Sequence, residues 1–263
     1  MPRPNPLLSL LVPLACLMAL TGCAPRPPAS DKDAVADYKQ TNDPLEPTNR
    51  VMYKINNGLD AVTLKPAAEA YRYAVPEAAR ESIHNALLNL AYPTVFFNDV
   101  AEGKPRRAGD TFMRFIINST LGVGGLFDVA KHWGYVNHDA DFGLTLALYG
   151  VPEGPYLYVP ILGPSDPRDL AGYGVDVVDW PFTWIGNGTT VYALEWSYYA
   201  MVAIDTRERV LDSLDQVQKT ALDPYATIRS LYRQHRQSQL EAIRNDQRAT
   251  VPAWFPAPTT QSE

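Results

Sequence analysis

Few side chains in this sequence sit where they could do covalent chemistry, and Cys23 is the one with a complete setting for it. Leu20-Thr21-Gly22-Cys23 follows a segment with a single cation, Arg3, and an apolar run over residues 7–20. A basic start, an apolar stretch too short to span a bilayer and small residues before a cleavage point make up a secretory signal. A cysteine directly after Leu-Thr-Gly has the form of a bacterial lipobox. There the thiol is alkylated with diacylglycerol, the chain is cut before the cysteine, and the new amine takes an N-acyl chain. The alternative is an ordinary signal peptide with a chance cysteine. On the lipobox reading the mature chain hangs from a membrane by several acyl chains, each buried methylene contributing about 0.8 kcal/mol.

The remaining chemistry-bearing residues form no convincing active site. The four histidines are His84, His132, His138 and His235. His138-Asp139 resembles half of a metal-dependent phosphohydrolase pair, without the second histidine and distal aspartate at a suitable spacing. The acidic stretch Asp139-Ala140-Asp141-Phe142-Gly143 has its glycine one position early for a calcium loop, and no bidentate Glu follows. Asp141 reads better as an N-cap for a helix starting at Phe142. Gly163-Pro164-Ser165 lacks the Gly-x-Ser-x-Gly elbow, and Gly122-Val123-Gly124-Gly125 lacks the Lys-Ser/Thr of a phosphate loop. No enzyme activity, metal or cofactor is expected; the only attached groups are the diacylglycerol and N-acyl chain on Cys23.

These positions must be held by helices. Removing residues 1–22, whose one charge is Arg3, leaves 241 residues and moves the formal charge from −6 to −7. An acidic chain is a poor partner for nucleic acid or for anionic headgroups. Cys16 leaves with the signal and Cys23 carries lipid, so no disulfide is available and the fold must rest on its own packing. Residues 23–41 form a lipidated, Pro- and Ala-rich tether with a reach of roughly 25 Å. Residues 42–246 make one helical domain, and 247–263 an irregular tail able to dock through Trp254 and Phe255.

Thirteen prolines between Pro44 and Pro224 punctuate the domain, several at first helical positions. Asp43-Pro44-Leu45-Glu46 predicts a capping box, and Asp166-Pro167 and Asp223-Pro224 repeat the opening. Apolar residues at helical spacing follow Val75-Pro76-Glu77 and recur around 192–217 and 225–244. Period-2 strands are absent except around 156–161. The fold class is all-α, a single domain of mostly short amphipathic helices.

Three uncharged runs, 115–127, 154–165 and 180–194, fall short of a membrane span. They suit either buried core or segments half-sunk in one leaflet. In the first helix Met52, Ile55, Leu59 and Val62 make an apolar face, and Asn49, Tyr53, Asn56 and Asp60 an adjacent polar stripe. That stripe is a candidate lipid path. It equally suits a helix on a protein core whose amides bond neighbouring loops. Trp180, Trp184, Tyr192, Trp196, Tyr198 and Tyr199 are amphipathic aromatics of the kind found at membrane interfaces and in cores alike.

The motifs in order are more telling. Asn42-Asp43-Pro44-Leu45-Glu46, Asn49-Arg50, Leu59-Asp60, Lys65-Pro66, Asn89-Leu90, Arg114-Phe115 with Asn118, and Gly122 to Asp128 are followed by Asp141-Phe142-Gly143-Leu144-Thr145-Leu146. Tyr149-Gly150-Val151, Gly154-Pro155-Tyr156, Leu162-Gly163-Pro164-Ser165 with Arg168-Asp169, and Asp223-Pro224-Tyr225 complete the series. Across residues 42–232 the chain resembles the MlaA/VacJ family of outer-membrane lipoproteins. It departs at Leu90-Ala91-Tyr92-Pro93, which lacks an acidic residue before the proline, and in its short tail.

The resemblance implies a ring-like helical body embedded in the outer membrane from the periplasmic side and associated with a trimeric porin. Such proteins take mislocalised phospholipids from the outer leaflet through an amphipathic channel. They pass them to a soluble periplasmic carrier, maintaining lipid asymmetry. Ala24 after Cys23 fits sorting to the outer membrane. Gly122, Gly124 and Gly125 are candidate hinges, since glycine admits backbone states closed to other residues. The rival readings are a structural lipoprotein scaffolding a porin and a lipid-anchored periplasmic hydrolase.

Overall fold

The computed structural model describes residues 41–184 and 188–246 with isolated positions from 27 to 38, so Cys23, most of the tether and the 247–263 tail lie outside the described residues. Helices carry the fold: α1 (Glu46–Val62), α2 (Leu64–Ala74), α3 (Glu77–Ala101), α4 (Pro105–Thr120), α5 (Val129–His132) and α6 (Phe142–Leu148). Strands β1 (Leu157–Val159) and β2 (Gly163–Ser165) then form one antiparallel hairpin, Tyr158 opposite Pro164. Helices α7 (Pro167–Asp179), α8 (Pro181–Trp184), α9 (Thr189–Arg209), α10 (Leu211–Thr220) and α11 (Pro224–Arg244) complete the domain. The all-α expectation holds, and the 156–161 strand signal becomes that hairpin.

Several helix starts obey the expected chemistry. Asp141, Asp166 and Asp223 are N-caps whose carboxylates accept the backbone N–H of Leu144, Asp169 and Ala226. Asp43 departs from this rule. Helix α1 begins at Glu46 without a side-chain cap, and the Asp43 carboxylate instead accepts from Asn49, Tyr225 and Arg229. A carboxylate only 3% exposed needs several donors, and the side chains of α11 supply a cation that a capping box lacks. Glu46 correspondingly pairs with Arg50 at 2.7 Å.

Helix α3 runs 25 residues straight through Pro93, longer than the proline spacing suggests. Its packing along α4, among the most extensive in the domain, offsets a proline penalty of about 3 kcal/mol. The amphipathic stretch after Tyr192 is instead split at Val210 into α9 and α10. Helix α6 crosses α7 so closely that a β-carbon on Gly172 would lie 2.2 Å from the backbone nitrogen of Gly143, which only glycine permits.

Among the described residues, small apolar clusters hold these helices rather than one continuous core. They are Tyr53, Tyr156, Tyr158 and Tyr225; Leu144, Ala147, Leu240 and Ile243; and Ile117, Ala130 and Tyr135. Among the same residues, twenty polar or charged side chains are buried against eighteen hydrophobic ones, which makes the interior unusually polar.

Candidate functional site

The polar interior is built by side chains that the helices turn inward. On α1, Asn49 is 1% exposed; its amide donates to Asp43 and to the Tyr156 carbonyl, and its oxygen accepts the Tyr158 N–H. Seven residues on, Asn56 donates to the Val159 carbonyl and accepts the Ile161 N–H. Tyr53 lies between them, its ring edge-on to Tyr158 at 5.5 Å and to Tyr225 at 5.8 Å. Asp60 makes a two-pronged pair with Arg207 of α9 at 2.7 and 2.9 Å. All four residues of the polar stripe therefore engage protein. The stripe is a seam whose amides bond a neighbouring loop; Asn56 and Asp60 keep partial exposure, while Asn49 and Tyr53 are enclosed.

Further buried networks continue this pattern. Arg114, 2% exposed, donates to Tyr92, Asp128 and the Tyr135 carbonyl, and Asn118 donates to Asp128 while accepting the Ala130 N–H. Asp169 accepts from Tyr232 at 2.6 Å and pairs with Arg236 at 2.7 Å. Burial pushes its carboxyl up, but Arg236 and Tyr232 hold it below its ordinary value. On the other side of α1, the Arg50 guanidinium bonds Asp223 and lowers its carboxyl. His138 bridges both oxygens of the fully buried Asp99 at 2.9 Å, and Thr111 donates to the same carboxylate. His138 thus serves a structural carboxylate, and Asp139 lends its carbonyl to Arg107.

Near that carboxylate, Glu102 is 8% exposed, and neither of its carboxyl oxygens has a hydrogen-bond partner among the described residues. Burial, with repulsion from Asp99, pushes its pKa up to about 8.

The apolar side chains go the other way. Most of the expected face of α1 is turned outward: Ile55, Leu59 and Val62 are 46%, 44% and 72% exposed and Val51 joins them, while Met52 packs against the tyrosine cluster around Tyr53 and Tyr156. Leu90, Phe96, Phe97 and Val100 of α3 and Phe112 and Ile116 of α4 are likewise exposed. The uncharged runs divide similarly. In 115–127 Ile117 is buried, while Leu121, Val123, Leu126 and Phe127 are exposed; in 154–165 Tyr156 and Tyr158 are buried, while Ile161 and Leu162 are exposed. In 180–194 Trp180 is buried against Tyr198, their ring centroids 4.6 Å apart, while Tyr192 and Leu194 are exposed. A water-facing surface seldom carries so many large exposed apolar side chains. Among the described residues, no helix is long and apolar enough to cross a membrane.

Within the exposed loop after α4, Val123, Gly124 and Gly125 have φ of 54°, 71° and 93°, a left-handed run that favours glycine. The loop is pinned at both ends, by Phe127 N–H to the Gly122 carbonyl at 3.0 Å and by Asp128 to Arg114 and Asn118. A β-carbon on Gly122 would lie 2.3 Å from the Phe127 carbonyl oxygen, and one on Gly125 2.5 Å from the Asn89 β-carbon; one on Gly124 would meet nothing within 4 Å. Gly122 and Gly125 are close-contact positions, and Gly124 is the open one.

The model of the MlaA lipoprotein family matches residues 41–239. The chain belongs to the MlaA lipoprotein family. It is 34% identical to the intermembrane phospholipid transport system lipoprotein MlaA of Haemophilus influenzae, over 87% of this chain and 89% of the relative. The protein of the same name from Escherichia coli K12 is 34% identical over 81% of each chain. A solved structure, described as the structural basis for maintenance of bacterial outer membrane lipid asymmetry, has a TM-score of 0.64 at 34% identity, covering 75% of this chain and 98% of that one.

Several of the motif residues that carry the family likeness, Asp43, Asn49, Arg114, Asn118, Asp169 and Tyr225, sit in the networks above. Sequence reasoning misses the Asp99, Glu102 and His138 group. Its one signal is His138 itself, in the loop before α6, whose carboxylate partner lies 39 residues away on α3.

Proposed function

We propose that this chain is the outer-membrane lipoprotein of a phospholipid transport system, taking phospholipids from the outer leaflet and passing them to a soluble periplasmic carrier. The observation that carries the reading is the run of outward-facing apolar side chains on α1, α3 and α4 over an interior rich in buried polar groups. A phospholipid has the same two halves. Acyl chains match the faces of α1, α3 and α4, and a charged headgroup is better accommodated along a polar interior than across hydrocarbon.

On this reading the body is ring-like and lies in the periplasmic leaflet, with diacylglycerol and an N-acyl chain on Cys23 orienting it. A porin trimer is its neighbour in the membrane. Of the polar stripe, the partly exposed Asn56 and Asp60 border the lipid path while Asn49 and Tyr53 are enclosed by protein, and the loop at Gly124 is the moving part, with Gly122 and Gly125 as its hinge ends. Transfer of an intact lipid breaks no bond, so the reading requires no catalytic group.

The test is a deletion strain assayed for phospholipid in the outer leaflet and for detergent sensitivity. Wild-type chain should restore both, and a chain with a bulky residue at Gly124 should not. Unchanged asymmetry in the deletion strain would favour a scaffold over a transporter.

A further inference from the structure

The loop between α4 and α5 holds the backbone in a costly shape. Val123, Gly124 and Gly125 are three left-handed residues in succession, and the first of them is β-branched. Glycine adopts that conformation freely, whereas a residue with a β-carbon is disfavoured there by roughly five- to thirtyfold in population. A valine in it is an outlier that persists only where its surroundings dictate it.

The Val123 side chain does not supply that constraint, because it is 62% exposed. The backbone does. Gly124 N–H donates to the Ser119 carbonyl at 3.1 Å, Gly125 N–H to the Asn118 carbonyl at 2.8 Å, and Phe127 N–H to the Gly122 carbonyl at 3.0 Å. These bonds hold one strained residue in place, and breaking them releases its strain.

Beneath the loop lies a polar group short of a bond. The Asn89 side chain of α3 is 4% exposed and donates to Ser119 Oγ at 2.9 Å, while its carbonyl oxygen has no hydrogen-bond partner among the described residues. Turning the amide end for end would leave its nitrogen in the same position. Gly125 rests directly on this amide: a β-carbon there would lie 2.8 Å from Asn89 Cγ and 2.9 Å from Nδ2. Lifting the loop gives the amide water or a loop N–H.

We propose that the 122–126 loop is a two-state latch, in which a left-handed Val123 strains the closed state and Asn89 gains its missing bond when the loop lifts. The latch rests, for its role, on the reading of this loop as the moving part of lipid transfer, and it names what sets the balance. Strain and an unmet bond both raise the closed state, so a lipid with different affinity for the two states can shift the population. The side chains that would move, Val123 and Leu126, are apolar and exposed, as contact with acyl chains requires.

Hydrogen exchange of the full lipidated chain in phospholipid vesicles, followed by mass spectrometry, reads the latch without reference to transport. Val123→Gly and Val123→Asn relieve the left-handed penalty and keep the backbone bonds. Each should raise the protection of residues 119–127, corrected for intrinsic amide rates, by roughly tenfold over wild type, with residues 108–116 of α4 unchanged. Val123→Ile keeps the penalty and should match wild type. Asn89→Leu removes the unpartnered group beneath the closed loop and should also raise protection there. Loop protection in Val123→Gly and Val123→Asn that is equal to or below wild type would overturn the proposal. So would an Asn89→Leu chain that is less protected over the loop alone. Raised protection with outer-leaflet phospholipid as in wild type would keep the latch and refute its part in transport.

Discussion

Asn49 and Asn56 clamp β1 and the turn that follows it from the same helix face. Asn49 brackets Leu157 through the Tyr156 carbonyl and the Tyr158 N–H, and Asn56 brackets Pro160 through the Val159 carbonyl and the Ile161 N–H. Seven helical residues advance about 10.5 Å. Three extended residues advance about 10 Å. The two periods coincide, so α1 and β1 are locked in register by side-chain amides where most folds would use apolar packing.

Asn49→Ala should therefore destabilise the domain by about 2–4 kcal/mol, since it leaves a buried carbonyl and a buried N–H without partners. Asn56→Ala, at a half-exposed position, should lose only about 1 kcal/mol because water can replace its bonds. Denaturant unfolding in detergent micelles checks the order; equal losses would mean the amides do not set the register.

The Asp43 knot is a stronger case. Removing its carboxylate leaves Arg229 of α11 and the Tyr225 hydroxyl facing each other inside the protein. Asp43→Ala should lower stability by about 3–5 kcal/mol, against about 1 kcal/mol for Tyr225→Phe, which removes a single donor. The same unfolding measurement applies.

In the loop after α4, Gly122→Ala and Gly124→Ala should separate stability from movement. The first forces the Phe127 carbonyl aside and should shift the unfolding midpoint. The second meets open space and adds only left-handed strain, about 1 kcal/mol. If Gly124 serves lipid passage, Gly124→Ala should disturb outer-leaflet phospholipid while unfolding nearly as wild type does. A variant that unfolds early would place Gly124 with the packing residues.

Glu102 predicts a pH effect of definite sign. Its carboxyl is raised from an ordinary 4.5 to about 8 by burial, so the folded state holds the proton more tightly than the unfolded chain. Stability from this group is complete below about 4.5 and is lost as pH climbs through 8, on the order of 1–3 kcal/mol. Glu102→Gln, neutral throughout, should flatten the profile between pH 5 and pH 8.5. The carboxylates of Asp169 and Asp223, held low by Arg236 and Arg50, act only in strong acid and do not enter this window. An equal fall in both proteins would assign the effect elsewhere.

Helices and their Asp-Pro starts are legible in the sequence because capping is local: Asp141, Asp166 and Asp223 act within three residues of themselves. Asp43 misleads because two of its three donors, Tyr225 and Arg229, lie on α11, more than 180 residues away, where sequence spacing says nothing. The stripe on α1 is visible too, but periodicity reports only that two faces differ and not which faces inward. A water-soluble rule buries Ile55, Leu59 and Val62; this chain buries Asn49 instead. Some family motif residues escape that ambiguity, since Asp43, Asn49, Arg114 and Asn118 sit in buried networks that need a polar side chain at that place.

Probes on the outward face of α1 test that inversion most directly. A thiol-attached fluorophore at Ile55→Cys, Leu59→Cys or Val62→Cys, in the lipidated chain reconstituted in vesicles, can be quenched by phospholipids brominated along their acyl chains. Quenching should be strong at all three positions and weak for a probe at Lys219→Cys on α10, whose native side chain is 76% exposed. If the three α1 probes respond no more than Lys219→Cys does, the apolar face does not lie in lipid and the inverted, membrane-embedded body is contradicted.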